Sequence, residues 1–267
     1  MMWQARDKKI AYGQRTLVMG IVNLTPDSFS DGGRFDSADS AVAYALQLVS
    51  DGADILDLGA QSTRPGYTEI TPEEEWQRLA PVLTALRKQT DVPLSVDTYF
   101  PFVAEKALAA GADIINDVSG KKSEAMAAVI RAYHAGWVML FGGDGAAEEA
   151  KQFFTDCIIF CQKNGIALSQ LCFDPGIGFG KTREQDIALI ANPSAYKIQG
   201  VPLLLGFSRK RVIGVLSGED NPSERLLGNC AAGTAAILNG ADILRLHDVK
   251  HEIQAIRAAD ALKRCER

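Results

Sequence analysis

Eight short apolar runs recur along the chain at fairly even intervals. They are rich in aliphatic and β-branched residues and apolar almost throughout, which is typical of strands covered on both faces. The segments between them have the spacing of amphipathic helices, and several begin at Ser, Thr or Pro and end at Gly. The pattern therefore predicts parallel strands that alternate with helices. The predicted strands are 17–24, 55–60, 93–98, 114–119, 137–143, 171–176, 202–208 and 243–248.

A short phrase recurs at three predicted helix-to-strand joints, as DGADI at 51–55, AGADI at 110–114 and NGADI at 239–243. Each time a helix is predicted to end at Gly before the chain turns through Ala-Asp into a strand. Eight strand and helix units without a linker favour a closed α/β fold, the (β/α)8 TIM barrel, over an open doubly wound sheet. We therefore expect residues 1–267 to form a single domain. The stretch 8–16 is expected to form an N-terminal hairpin that closes the barrel floor.

The composition excludes several classes of protein. Of the 267 residues, 47% are apolar and 23% are charged, which is ordinary for a globular chain and excludes disorder and a small disulfide scaffold. The net charge is 28 − 33 = −5 and no basic cluster stands out, so we expect no nucleic-acid partner. The N-terminal residues are charged where a signal peptide is apolar, and no run approaches the roughly 20 apolar residues of a membrane span. We expect a cytoplasmic protein with no membrane partner.

The five cysteines are an odd number and lack the paired CxxC spacing of zinc or redox sites. Cys157 and Cys161 lie four residues apart on a predicted helix, which could place both thiols on one face. Because Cys behaves as a small apolar residue, we expect half-buried reduced thiols there rather than a metal site.

Polar residues follow the ends of seven of the eight predicted strands. In a barrel of this kind, the active site forms where strands end and strand-to-helix loops begin. One set, Asp97, Asn116 and Asp174, suits a flat heterocycle with an amidine-like edge, since carboxylates accept paired N–H bonds from it. A second set suits a phosphate or diphosphate. This positively charged set is Arg64, Lys210, Arg245 and His247.

Two long loops, 25–33 and 61–69, are rich in Gly, Ser, Thr and Pro and are predicted to close over this site. A third loop, GIGFGK at 176–181, is a poor match to a dinucleotide fingerprint. No protein cage for a metal is evident. A Mg²⁺ ion held mostly by diphosphate oxygens, with Asn23 as one protein ligand, matches how that ion usually binds.

The loop motifs closely resemble those of the dihydropteroate synthase family, in order and at appropriate spacing. The matching motifs are MGIVNLTPDSFSDGG (19–33), STRPG (62–66), SVDT (95–98), GADIINDVSG (111–120), DPGIGFGKT (174–182), SRK (208–210) and RLHDV (245–249). The resemblance implies a (β/α)8 barrel, usually homodimeric. It also implies an enzyme that joins 6-hydroxymethyl-7,8-dihydropterin diphosphate to p-aminobenzoate and releases diphosphate.

The same resemblance implies a role for each matching residue. The pterin would be bound by Asp97, Asn116, Asp174 and Lys210. The diphosphate would be held by Thr63, Arg64, Arg245, His247 and, through Mg²⁺, Asn23. The p-aminobenzoate would be enclosed by Phe29, Thr63, Pro65, Phe179, Lys210 and Arg211. The residues implied to take part in catalysis are Asp31, near the developing positive charge, Arg64, Lys210 and Arg245.

Four positions depart from the family motifs. Phe141 stands where a histidine is common, Gln61 replaces an acid, Phe100 replaces a frequent lysine, and Arg211 replaces a small hydroxyl residue. The altered segment around Phe141 leaves open a noncatalytic pterin-binding paralogue. A pterin-dependent methyltransferase domain is the other alternative, although such a domain has no reason to keep STRPG, SRK and RLHDV.

Overall fold

The computed structural model describes residues 1–25, 37–61, 69–144 and 146–265. A two-stranded antiparallel sheet precedes a sheet of eight parallel strands. The strands are β1 (Met2–Ala5), β2 (Lys8–Ala11), β3 (Leu17–Asn23), β4 (Ile55–Gly59), β5 (Leu94–Asp97), β6 (Ile114–Asp117), β7 (Gly136–Leu140), β8 (Leu171–Asp174), β9 (Leu204–Leu205) and β10 (Ile243–Leu246).

The eight parallel strands lie in the order β8-β7-β6-β5-β4-β3-β10-β9. A parallel bridge between Phe173 and Leu203 joins the two edges and closes the sheet into a barrel. Each predicted strand is present, and the (β/α)8 prediction is confirmed. Long apolar runs predict these strands because both faces of each strand are buried, one by the helices and one by the barrel interior.

Helices separate the barrel strands and cover them from outside. They are α1 (Ala38–Asp51), α2 (Pro72–Arg87), α3 (Pro101–Ala109), α4 (Glu124–Tyr133), α5 (Ala147–Lys163), α6 (Arg183–Ala191), α7 (Arg211–Ser217), α8 (Leu226–Leu238) and α9 (Val249–Cys265). Side chains of Thr71, Ser123 and Thr182 cap the starts of α2, α4 and α6 by accepting a backbone N–H. Within the part of the chain that the structure describes, no helix is both long and apolar enough to cross a bilayer.

The repeated GAD phrase forms the same joint each time. The glycines Gly52, Gly111 and Gly240 have φ of 114°, 107° and 114°, a left-handed conformation that favours glycine. The alanine that follows then donates its N–H to a carbonyl five residues back, at 2.9 Å in all three joints.

The aspartate of each GAD joint ties the barrel together at its lower end. Asp54, Asp113 and Asp242 accept the backbone N–H of a residue at the base of another strand, at 2.9, 2.9 and 3.0 Å. Each also pairs with a cation; these cations are Arg15, Arg87 and Lys197. The repeat is therefore structural and fixes the end of the barrel opposite the predicted site.

A hairpin of β1 and β2 closes that end. The sequence prediction placed the hairpin at 8–16, but its first strand is Met2–Ala5, so it begins and ends earlier. Trp3 is fully buried among residues of the barrel interior and donates its indole N–H to Gln170 O at 3.0 Å. The expected closure of the floor is therefore confirmed, with different boundaries.

The cysteines are free thiols. Cys157 and Cys161 are fully buried rather than half-buried, on the inner face of α5. Burial raises the pKa of both thiols to about 12, so they stay protonated at neutral pH. They are part of the core, and no chemistry is assigned to them.

Candidate active site

The upper ends of four adjacent strands bring the predicted polar residues side by side. Strand register places Asn23 next to Gly59, Gly59 next to Asp97, and Asp97 next to Asn116. A Cβ at Gly59 would lie 3.5 Å from the Asp97 side chain, which is an ordinary van der Waals contact. The carboxylate and amide set therefore lies at one rim, as the sequence predicts.

Arg245 lies at the centre of this rim, held by two carboxylates. Its Nε donates to Asp57 Oδ2 at 2.6 Å, and its Nη2 donates to Asp97 Oδ2 at 2.8 Å. Asp57 also accepts from Ser95 Oγ at 2.6 Å and from Asn116 Nδ2 at 3.2 Å. A single buried carboxylate thus orients residues from three strands.

Asp57 was missed by the sequence analysis. It is the one charged residue in the β4 run ILDLG and is fully buried. A lone aspartate inside an apolar strand is itself a signal, since an unpaired buried charge costs several kcal/mol. The sequence does not reveal which cation pairs with Asp57, because Arg245 lies 188 residues away.

Burial and charge shift the pKa values of the groups at this rim. Burial raises the pKa of Asp97 to about 7, against the opposing effect of Arg245 and with a further rise from Asp57. Burial also lowers the pKa of Lys210 to about 8, partly offset by Asp174. For Arg245, burial lowers the pKa but Asp57 and Asp97 raise it by more, so the guanidinium stays charged. The site therefore holds groups that titrate near neutral pH.

Asp174 ends β8 and faces the same space from the other side. Its Oδ1 accepts the Gly176 N–H at 2.7 Å, and burial raises the pKa of its carboxyl. Gly176 has φ of 74°, and a Cβ there would collide with the carbonyl of Phe141. This glycine belongs to a tight turn that fixes Asp174.

Lys210 and Phe179 are brought together, as the sequence predicts for two residues flanking one ring. The Lys210 Nζ lies 4.6 Å from the centre of the Phe179 ring and donates to Ile177 O at 2.6 Å. His247 lies within 3.1 Å of Ser208 Oγ through its Nδ1. Arg211 is the first residue of α7 and is exposed.

Comparison with known proteins identifies this arrangement. A family model described as pterin binding enzyme matches residues 19–247, which is most of the chain. A dihydropteroate synthase of Synechocystis sp. is 42% identical over 266 residues, covering 95% of this chain and 92% of the relative.

The chain belongs to the dihydropteroate synthase family of pterin binding enzymes.

Solved structures of dihydropteroate synthases share the fold. One from Clostridium difficile, determined in the presence of pteroic acid, is 42% identical with a TM-score of 0.89, covering 95% of this chain and 98% of that one. One from Burkholderia cenocepacia, complexed with 7,8-dihydropteroate, is 32% identical with a TM-score of 0.88, covering 99% and 97%. The methyltransferase alternative finds no support among these relatives.

Five of the site residues implied by the family motifs lie outside the described residues. They are Phe29, Asp31, Thr63, Arg64 and Pro65. Their roles stay predictions.

Phe141, the departure that raised the noncatalytic alternative, packs outward. Its ring lies 4.6 Å from Lys181 Nζ and 5.5 Å from the Phe153 ring centre. Its backbone N–H donates to Asp174 O at 2.8 Å, so the main chain still supports the dihydropteroate synthase site. This hydrogen bond is made by the main chain and does not depend on the side chain at position 141.

Two other departures, Gln61 and Phe100, both contact Tyr99. Gln61 Nε2 donates to the Tyr99 hydroxyl at 2.6 Å, and its Oε1 accepts the Ile70 N–H at 3.0 Å. The Phe100 ring lies 4.5 Å from the Tyr99 ring, centre to centre. These contacts hold the chain just after β4 against the chain just after β5.

Glu75 supports a pH-dependent stability prediction. Its side chain is 1% exposed, and burial raises its pKa to about 7 although Thr98 hydrogen-bonds to it. Between the ordinary pKa of 4.5 and about 7, the folded state keeps a proton that the unfolded state has lost, so stability falls as pH rises. Glu75→Gln removes the titrating carboxyl and therefore this loss of stability at high pH. We expect the variant to gain about 1–3 kcal/mol over the parent at pH 8 and much less at pH 5.

Thermal or denaturant unfolding at both pH values measures the difference. The matched control is Glu73→Gln, an exposed residue on the same turn of α2. An equal gain for Glu75→Gln at pH 5 and pH 8 would contradict a proton held on Glu75.

Proposed function

We propose that this chain condenses 6-hydroxymethyl-7,8-dihydropterin diphosphate with p-aminobenzoate to give 7,8-dihydropteroate and diphosphate. The observation that supports this best is the ion-paired Arg245 at the rim, next to the partly buried acceptor Asp97 and the buried acceptor Asn116. A protein that only binds pterin does not need a guanidinium to hold a leaving diphosphate. The family relatives are synthases in name, which favours the same reaction.

The buried end suits the pterin ring. Asn116 is 2% exposed, and its Oδ1 has no hydrogen-bond partner among the residues described. A buried acceptor without a partner is costly, so this oxygen is available to an N–H of the ligand. Asp174, on the opposite side, offers a second acceptor. Together they suit a ring that presents several N–H groups along one edge.

The outer end suits the leaving group. Arg245 is paired with buried carboxylates, which keeps its guanidinium charged and oriented before the ligand binds. His247 is on the same strand end, two residues along the chain. Preorganised positive charge at this point favours departure of diphosphate with both electrons of the C–O bond. The methylene cation that remains is stabilised by the electron-rich pterin.

The p-aminobenzoate nitrogen then forms the new C–N bond. An arylamine is a free nucleophile at neutral pH, so no general base is needed before the C–O bond breaks. The extra proton on nitrogen is lost to water after the bond forms. We expect the Phe179 ring and the Lys210 ammonium, which lie 4.6 Å apart, to contact the arylamine, orient it and exclude water.

Asn23 is the residue that fits a Mg²⁺ ion. It ends β3 at the rim and supplies a neutral side-chain oxygen. Among the described residues no group of three His, Cys, Asp or Glu side chains could form a protein cage. One protein oxygen with several diphosphate and water oxygens is a common Mg²⁺ arrangement. When bound, the ion would neutralise charge on the leaving diphosphate.

We therefore expect Asn23→Ala to weaken Mg²⁺-dependent diphosphate binding about tenfold while leaving pterin binding unchanged. Calorimetric titration of diphosphate with Mg²⁺, and again with a chelator, gives the comparison. If the parent binds diphosphate equally well in both buffers, Asn23 is not a metal ligand.

A product assay tests the proposed reaction. The purified protein is mixed with the dihydropterin diphosphate, p-aminobenzoate and Mg²⁺, and dihydropteroate is followed by mass together with released diphosphate. Equal amounts of both products support the synthase. Tight pterin binding without either product would favour the noncatalytic paralogue.

A homodimer is part of the proposal, supported by exposed apolar side chains on α7 and α8. Val215, Leu216 and Leu227 are 45%, 48% and 82% exposed, and the two helices pack against each other. Such a cluster of apolar side chains is typical of a protein interface. The single-domain organisation of residues 1–267 and the cytoplasmic location stay predictions.

We expect Leu227→Asp to convert the dimer to monomers, because a charge would have to be buried without a partner. Light scattering after size-exclusion chromatography measures the mass. Leu262→Asp, at an exposed leucine on α9, is the control and should stay dimeric. A parent protein of monomeric mass would refute the dimer itself.

A further inference from the structure

The turn that presents Lys210 to the site has an unfavourable backbone conformation. Arg209 has φ of 62°, in the left-handed region that residues with a side chain seldom adopt. Such a backbone conformation is strained and persists only where its surroundings hold it. Lys210 follows directly, and its Nζ reaches Ile177 O and the Phe179 ring. The position of Lys210 therefore depends on the contacts that keep the Arg209 backbone in this conformation.

Arg225, just before α8, donates to both carbonyls of this turn. Its side chain donates to Arg209 O at 2.8 Å and to Lys210 O at 3.3 Å. It also donates to Glu219 O at 2.8 Å and to Asp220 O at 2.6 Å. The residue is only 7% exposed. One buried guanidinium thus joins the Lys210 turn to the segment that follows α7.

Two further contacts hold the same turn. Asn229, on α8, accepts the Arg209 N–H through Oδ1 at 3.2 Å, and the Arg209 side chain pairs with Asp248 at 2.7 Å. Gly214 leaves room for the guanidinium, since a Cβ there would lie 2.7 Å from Arg225 Nη2. The packing of α7 is therefore built around Arg225.

We infer that Arg225 is a positioning residue for Lys210: by binding the two carbonyls of the turn, it holds the Lys210 ammonium over the Phe179 ring and against Ile177 O. This inference deepens the proposed function and rests on it for the role of Lys210. The Arg225 guanidinium donates to backbone carbonyls, so it acts through the backbone of Lys210. The competing view is that Arg225 only stabilises the fold.

The two views differ in what happens to Lys210. Its pKa is lowered to about 8 because the amine is buried. A turn released from Arg225 lets the amine move into water, and its pKa then rises toward the ordinary value of 10.5. A purely structural loss lowers the melting temperature and leaves the pKa of Lys210 where it was.

Trace labelling of the full-length protein distinguishes them. Each protein is treated briefly with acetic anhydride across a series of pH values, and acetylation of the Lys210 peptide is followed by mass spectrometry. The variants are Arg225→Gln, Arg225→Lys and Asn229→Ala. The matched control is Arg6→Gln, because Arg6 also has positive φ and donates to the carbonyls of Leu108 and Ala112, at the barrel floor.

We expect the midpoint of Lys210 labelling to rise by about one pH unit or more in Arg225→Gln, a tenfold change in the protonation equilibrium. Asn229→Ala should shift it in the same direction, which keeps the test available if Arg225→Gln does not fold. Arg225→Lys should restore part of the difference, and Arg6→Gln should leave the midpoint unchanged. An unchanged midpoint in both Arg225→Gln and Asn229→Ala, or an equal shift in Arg6→Gln, overturns the inference.

The labelling does not depend on turnover. If the product assay fails but the midpoint shifts, Arg225 still positions Lys210 and only the proposed reaction is wrong. If products form and the midpoint of Lys210 labelling does not move, the proposed reaction is supported and the positioning role of Arg225 is wrong. In the active protein, we expect kcat of Arg225→Gln to fall about tenfold or more, with a smaller change in the KM for the pterin substrate.

Discussion

Arg245→Ala is expected to reduce turnover by a factor of about 10²–10³ or more, the largest effect of any single described residue. In the proposed function, the Arg245 guanidinium holds the leaving diphosphate at its junction with the pterin. Its loss also leaves Asp57 and Asp97 without their cation, and breaking such a buried pair costs about 3–5 kcal/mol. Diphosphate affinity should fall with turnover, because the preorganised charge is gone.

Arg245→Lys separates the two consequences. The lysine keeps a positive charge but cannot bridge both carboxylates with the planar fork that Arg245 uses. We expect it to recover much of the stability and only part of the turnover. Unfolding by denaturant gives the first quantity, and steady-state kinetics with diphosphate titrations gives the second. An Arg245→Ala protein that binds diphosphate as the parent does would remove Arg245 from the leaving-group end.

Asp174→Asn has the second largest expected effect, a loss of pterin affinity of about 10- to 100-fold. A charge-assisted hydrogen bond contributes about 1.5–3 kcal/mol, and the asparagine amide would also face the ligand with donors of its own. The variant can still accept the Gly176 N–H through Oδ1, so the turn after β8 should remain in place. Diphosphate affinity should be nearly unchanged.

The pH dependence of pterin binding gives an independent check on Asp174. Burial raises the pKa of this carboxyl, so the parent should lose pterin affinity as pH falls and the carboxylate takes up a proton. Asp174→Asn has no such proton to bind and should lack that part of the pH dependence. Pterin titrations by calorimetry at several pH values show whether the acidic limb disappears.

The barrel was predictable from sequence because each of its strands is buried on both faces. The GAD joints were equally predictable, because the same three residues recur at each joint. In each, the glycine has φ above 100° and the aspartate accepts a strand N–H. The first strand of the hairpin was not. In β1 only Trp3 and Ala5 are buried, and two alternating positions are too few to define a strand.

The candidate site was predictable where its chemistry lies at strand ends, as with Asp97, Asn116 and Asp174. Asp57 could not be assigned, because its role depends on Arg245 reaching it across the barrel. The role of Arg225 could not be predicted from the sequence for a similar reason. Its partners are backbone carbonyls, and no pattern of side chains in the sequence marks them.

The most direct test of a site with separate pterin and diphosphate ends is one set of four titrations. Asp174→Asn and Arg245→Ala are each titrated with the pterin and with diphosphate in Mg²⁺, and the four affinities are compared with those of the parent. The division of the rim predicts that the first variant loses pterin affinity and the second loses diphosphate affinity. Equal loss of both ligands in each variant would contradict it.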